Sequence, residues 1–225
     1  MRIAVLSDTH GNLPALEAVL AEVDRSSPDA IWVAGDLVGY NPWPNEVLGI
    51  LKDRHVRAIR GNHDRAAVTG NTAGFNDLAT KAVRWTRITL TPASVGYLKG
   101  LEDRARLELS DGAIAMHHGS PRDDDEYIWP WMATEDLLLV ARARILILGH
   151  THVPMAFAFR SGFLANPGSV GQPRDHDPRA SWALLDTDPP TFEIHRVRYD
   201  IEAVGNAIRR AGLPPELADR LRYGV

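Results

Sequence analysis

The chain has 225 residues, 44% apolar and 24% charged, with a formal net charge of -4. This composition excludes a disordered or fibrous polypeptide, and the acidic balance argues against strong nucleic-acid binding by bulk electrostatics. With no cysteine, disulfides and thiolate chemistry are excluded; with no signal-like N-terminus and no apolar run of about 18 residues, a cytoplasmic protein without membrane association is expected.

In chain order, short apolar runs at residues 3–6, 31–34, 56–59, 114–116 and 145–148 predict strands buried on both faces. Between them, residues 13–23 and 44–51 carry apolar side chains at helical spacing, with Pro14 and Pro44 suited to first turns. Residues 75–90 and 134–141 predict two further helices. After residue 150 the texture changes to short strands at 155–159, 162–165, 182–186 and 192–197, split by Gly, Pro and Asp turns. The tail, 201–221, reads as helical with a break at 212–215. The expectation is one α/β domain with two sheets.

Each of the first five runs gives way to a polar, glycine-containing segment, and these segments carry the functional information. They are Ser7-Asp8-Thr9-His10-Gly11-Asn12, Gly35-Asp36, Arg60-Gly61-Asn62-His63-Asp64, His117-His118-Gly119-Ser120 and Gly149-His150-Thr151-His152. Ligands of open α/β sheets bind beyond the carboxyl ends of strands, and here five strands deliver Asp, Asn or His to that edge. Turn propensity accounts for any one cluster, but not for five in register that hold six of the nine histidines. Imidazoles mixed with carboxylate and amide oxygens suit divalent transition metals better than calcium or magnesium, with manganese foremost and iron, zinc, nickel or cobalt as alternatives. Six or seven donors exceed one tetrahedral site. They match two metals ~3.5–4 Å apart that share a carboxylate, which predicts a dinuclear hydrolytic centre.

These five blocks, in this order, resemble the signature of calcineurin-like metallophosphoesterases over residues 1 to about 186. The resemblance implies a four-layer α/β/β/α sandwich of two mixed β-sheets. The expected single domain spans 1–225, with the signature blocks within 8–152 and C-terminal helices at about 200–222. It places Asp8, His10 and His152 on one metal, Asn62, His118 and His150 on the other, and Asp36 between them. His63, backed by Asp64, resembles the family's catalytic histidine. Residues 166–169 (Asn-Pro-Gly-Ser) are similar to a site-lining loop of the smaller bacterial members. In the His117-His118 pair the ligand is taken as His118, which directly precedes Gly119. Neighbouring strand residues face opposite sides, so His117 is expected to pack or to support.

A two-metal site offers a hydroxide of lowered pKa, aimed in line at phosphorus. His63 as imidazolium would stabilise charge or protonate the departing oxygen. The family spans monoesterases, diesterases, pyrophosphate hydrolases and nucleases. Protein serine/threonine phosphatases and diadenosine tetraphosphatases carry an arginine in the Gly-Asp block, and the former end the next block in glutamate. Neither feature occurs in Gly35-Asp36-Leu37-Val38-Gly39-Tyr40 or Gly61-Asn62-His63-Asp64. The pattern is closer to small bacterial phosphodiesterases, so a small phosphodiester or nucleotide substrate is expected. The alternatives are a phosphomonoesterase, a nucleotide pyrophosphate hydrolase, or a non-catalytic binding subunit of this fold; the retained His63 and full ligand set argue against the last. Arg122 is the candidate substrate-binding residue, with Arg174 beside it. The acidic run from Asp123 to Glu126 predicts repulsion of long polyanions. The aromatic segment 127–132 reads as a base-stacking lid, a dimer contact or core. His55, His176 and His195 read as structural or surface residues.

Overall fold

In the computed structural model, which describes residues 1–225, strand β1 (Arg2–Leu6) turns Ile3 and Val5 to one face and Ala4 and Leu6 to the other, and all four are fully buried. A strand buried on both faces needs cover on both, and that requirement generates the layers. Beyond the outer face lie α1 (Leu13–Ser26) and α2 (Pro44–Asp53). Their Leu16, Val19 and Leu51 pack with Ala4, Leu6, Trp182 and Val33 of β2 (Ala30–Val33). On the inner face, Ile3, Val5 and Trp32 meet Ile114 and Met116 of β5 (Gly112–His117) and Ile145 and Ile147 of β6 (Ile145–Ile147). The alternate residues Ala115 and Leu146 point the other way, onto Leu137 and Leu138 of α6 (Glu135–Ala141). The order is helix, sheet, sheet, helix, as expected.

Both sheets have five strands and both are mixed. In the first, β1, β2 and β3 (Arg57–Ala58) are parallel, while β9 (Ala180–Thr187) pairs antiparallel with β1 and β10 (Pro190–Val197) with β9. In the second, β5, β6 and β8 (Phe163–Asn166) are parallel, flanked by antiparallel β4 (Arg104–Leu109) and β7 (Met155–Ala158). The two sequence textures are therefore not the two sheets. Each sheet combines strands from before residue 150 with strands from after it: β1, β2 and β3 with β9 and β10 in the first, and β4, β5 and β6 with β7 and β8 in the second. The five motif-bearing strand ends lie on two sheets whose edges meet, three on the first and two on the second.

Three elements escaped the periodicity. Helix α3 (Asn62–Thr69) begins inside a segment expected to be a turn, because Gly61 supplies the extended N-cap and the Asp64 carboxylate accepts the Gly61 N–H at 2.9 Å. Helix α5 (Pro92–Lys99) had a legible start, a Thr91 cap before a first-turn proline. Strand β4 alternates charged with apolar residues and lies at a sheet edge. Helix α4 (Asp77–Thr89) starts after the Asn76 cap, slightly later than expected. The tail forms α7 (Ile201–Arg210) and α8 (Glu216–Tyr223), which pack on α4 and Tyr40 through Val204, Ile208, Leu217 and Leu221. No helix is long and apolar enough to cross a membrane.

Ile114 lies fully buried between the sheets, so Ile114→Ala should cost about 2–5 kcal/mol in urea unfolding. Leu139→Ala, at a helix position 61% exposed, should stay within about 0.5 kcal/mol of wild type. Equal losses for the two would contradict the placement of the core between the sheets.

Candidate metal centre

The loops after β1 and β2 are zipped together by backbone bonds: Asp8 N–H to Gly35 O (3.0 Å), His10 N–H to Asp36 O (2.9 Å) and Gly11 N–H to Leu37 O (2.9 Å). The loop after β8 closes over them. Ser169 Oγ donates to Asp8 O at 2.8 Å, and Asn166 Nδ2 donates to Gly149 O at 2.6 Å. The 166–169 loop thus braces the centre and supplies none of its candidate donors. Asp8, His10, Asp36, His150 and His152 all have positive φ, between 47° and 68°. Such left-handed backbone costs of order 1 kcal/mol or more per non-glycine residue and persists where the surroundings impose it. Gly61 is needed for a different reason: a Cβ there would stand 2.2 Å from Asp36 Oδ1.

Seven side chains converge. Donor atoms of Asp8, His10, Asp36 and His152 lie within 4.8 Å of one another, as do those of Asp36, His118 and His150; Asp36 belongs to both groups. His118 Nε2 is 3.0 Å from Asn62 Oδ1 and 3.4 Å from Asp36 Oδ2, which brings in the amide. All seven residues are buried. His117, on the preceding strand position, points away and lines a separate surface cavity with Arg104 and Pro121.

Backbone carbonyls set the tautomers. Nδ1–H of His10 donates to Val38 O (3.1 Å) and that of His152 to Gln172 O (2.5 Å), so in these two rings Nε2 turns its lone pair inward; His118 donates Nδ1–H to Ala34 O (2.8 Å) and, held charged beside Asp36, carries a proton on Nε2 as well. His150 is reversed: its Nε2 donates to Asp125 O at 3.1 Å, leaving Nδ1 as acceptor. His10 Nε2 and His152 Nε2 face each other at 3.1 Å. Two lone pairs at that distance repel unless a cation sits between the donors. Asp8 adds a carboxylate whose Oδ2 is held by Ser7 Oγ (2.6 Å), while its buried Oδ1 has no hydrogen-bond partner and lies 3.3 Å from His152 Nε2. Such buried, orphaned donors fit bound divalent metal.

The electrostatics agree. Burial holds the His10 and His152 imidazoles well below their ordinary value and, with the His118 charge, takes His150 down to about 3, so all three are neutral candidate donors at neutral pH. Burial lifts the Asp8 carboxyl to about 7. Burial also opposes ionisation of Asp36, but the charged His118, its Nε2 3.4 Å from Asp36 Oδ2, wins and keeps the carboxyl well below the usual range.

Other expected residues fare differently. His63 sits beside Asn62, its ring 4.7 Å from His10 and 4.6 Å from Tyr40, and burial lowers its imidazole to about 4. Asp64 does not back it. The Asp64 carboxylate accepts Leu37 N–H (2.9 Å), Val38 N–H (3.1 Å) and Gly61 N–H (2.9 Å), so it pins the loops together, and the buried His63 Nδ1 has no partner. Arg122 is held by Glu126 at 2.7 Å on the surface and does not line the cavity at the centre, whereas Arg174 does. Asp125 is likewise paired, with Arg65, so the acidic run is partly neutralised. In the aromatic segment only Ile128 is core; Tyr127 stacks on His150 (3.8 Å), followed by Trp129 and a Trp131 that is 78% exposed. His195 stacks inside the fold on Trp182 at 4.5 Å. Tyr40, Phe75 and Arg220 also line the cavity, and none was expected there from the sequence. Tyr40 follows the Gly35-Asp36 block closely enough to be found. Phe75 precedes α4 and Arg220 stands on α8, and neither position carries a local signal.

The sequence profile of the calcineurin-like phosphoesterase superfamily domain matches residues 1–189. An uncharacterized protein of Methanocaldococcus jannaschii is 30% identical over 99% of this chain and 98% of its own. The phosphodiesterase YfcE of Escherichia coli is 27% identical over 84% of this chain and 89% of its own. The crystal structure of a metallophosphoesterase from Sphaerobacter thermophilus superposes with a TM-score of 0.85 at 35% identity, covering 100% of this chain and 99% of that one. The buried Asp/His cluster at the meeting edges of two mixed sheets is thus the metal-binding feature of a phosphoester hydrolase, and the chain belongs to the calcineurin-like phosphoesterase superfamily.

Proposed function

We propose that the enzyme is a phosphodiesterase acting on small diesters, with Asp8, His10 and His152 holding one divalent ion, Asn62, His118 and His150 a second, and Asp36 shared. The observation that carries this reading is the inward convergence of four imidazoles on one ionised carboxylate common to both donor groups, with the His10 and His152 Nε2 lone pairs face to face. The diesterase preference is supported by the likeness to YfcE and by the lack of the arginine that marks the phosphoprotein branch. Two such ions supply Lewis-acid charge neutralisation and a nucleophile at neutral pH. The protein's own contribution is positioning: buried tautomers fixed by carbonyls, and strained loops locked by the zipper of backbone bonds. We assign His63 to proton delivery at the leaving oxygen, since it lines the cavity beside Asn62 and an anionic phosphate there favours its charged form.

Four outcomes test this. Chelation should abolish hydrolysis, and manganese should restore it better than magnesium, because imidazoles favour borderline ions. Asp36→Asn should lower the content of both metals in elemental analysis; full activity after verified metal removal would defeat the dinuclear assignment. His118→Ala should lose one metal and cut turnover sharply, whereas His117→Ala should keep both, and the reverse result would shift the ligand by one position. His63→Ala should lose about 10²–10⁴-fold on an alkyl diester, whose leaving oxygen needs a proton, and much less on bis-p-nitrophenyl phosphate. An equal loss on both, at unchanged metal content, would assign His63 to phosphate binding instead.

A further inference from the structure

A cavity of about 290 Å³ adjoins the centre, with Asn62, His63 and His150 on its lining together with Arg174 and Arg220. That volume lies at the small end of ligand sites, ~300–1,000 Å³. The two guanidinium carbons each lie 5.8 Å from the Tyr40 ring centroid, and Arg174 Nη2 donates to Tyr40 Oη at 3.2 Å. Arg174 Nε is buried with no partner, whereas Arg220 Nε donates at 2.8 Å to an oxygen of Val225, the last residue of the chain, and the Gln172 side-chain oxygen accepts from the same guanidinium at 3.1 Å. Neither guanidinium meets an Asp or Glu side chain within ion-pair distance, although Arg54, Arg65 and Arg122 all do. The one carboxylate on the cavity lining, Asp125, is taken by Arg65 at 2.6 Å. Burial and the neighbouring Arg174 charge both pull the Arg220 guanidinium below its ordinary value. Two like charges held around one ring with no acidic side chain between them are unfavourable, and a bound anion relieves both the repulsion and the lost solvation.

We propose that Arg174 and Arg220 form a subsite for a second phosphate group, making the preferred substrates small phosphodiesters that carry an additional phosphate. This deepens the phosphodiesterase reading above and rests on it. Neither guanidinium hydrogen-bonds any of the seven candidate ligand side chains, so the pair addresses a part of the substrate other than the ester phosphate held at the metals. Guanidinium forks suit a phosphate dianion, to which each can donate two parallel bonds. Arg220 stands on α8, beyond the residues 1–189 that the family profile matches. The C-terminal helices therefore complete the cavity as well as packing against α4.

The test uses the manganese-loaded full chain and a dithymidine phosphodiester with and without an added terminal phosphate. Wild type should favour the phosphorylated diester in kcat/KM by about tenfold or more, and Arg174→Gln and Arg220→Gln should each erase most of that ratio. Because the ratio compares two substrates on one preparation, partial unfolding of a variant cancels. Calorimetric titration with inorganic phosphate gives a second readout: two equivalents should bind wild type and one should bind each variant. A ratio and a stoichiometry unchanged in both variants would overturn the subsite while leaving the phosphodiesterase reading intact. Loss of one phosphate equivalent in the variants, with neither diester hydrolysed by wild type, would keep the subsite and overturn that reading.

Discussion

His10 and His152 turn unprotonated nitrogens toward each other across 3.1 Å in a fully buried pocket, and beside them Asp8 offers an oxygen with no donor. Without a cation this arrangement is repulsive; with one it is a ligand set. Much of the surrounding architecture serves to keep the nitrogens there. Carbonyls of Val38, Ala34 and Gln172 orient the rings, and five donor residues are held in left-handed backbone that no isolated loop would sustain. The loops sustain it because each is bonded to the next, with Asp64 at the junction. The chain uses this carboxylate as a clasp for three backbone N–H groups rather than as a partner for His63.

The candidate donors were legible because each lies within a few residues of a strand end, where an apolar run stopping at Asp or His is visible without any tertiary information. The layering was legible for a related reason: β1 and β6 are apolar almost throughout, and only a strand covered on both sides reads that way. Other features depend on distance along the chain. The assignment of strands to sheets turns on β9 returning to pair with β1, which no local pattern announces. Arg122 and Arg174 looked equivalent in sequence, and only the fold places Glu126 within reach of the first and Tyr40 within reach of the second. Arg220 enters the cavity from a helix whose own sequence reads as an ordinary amphipathic surface element. Asp64 misled for the opposite reason: adjacency to His63 suggested contact, while the helical first turn sends the two side chains to different places.

Neutrality of the three depressed imidazoles also separates binding from proton chemistry. His10, His150 and His152 are kept unprotonated by burial before any metal arrives, so loading displaces few protons from them. Asp36 is kept charged in the same dry surroundings by the cationic His118 beside it. The protein thereby resolves the usual conflict of a buried metal site, in which burial suppresses the very anion that a metal requires.

The pairing of β1 with both β2 and β9 has a consequence for how the molecule comes into being. The strand that carries Asp8 and His10 at its end has residues 30–33 on one side and residues 183–186 on the other, and its loop is closed by Ser169 and Gly171. During synthesis, nearly the whole polypeptide must emerge before that strand acquires its second neighbour. Contacts of such long sequence separation form late. Metal capture is therefore an event of the finished chain: a ribosome-bound fragment ending before β8 would display histidines yet lack the brace that aims them.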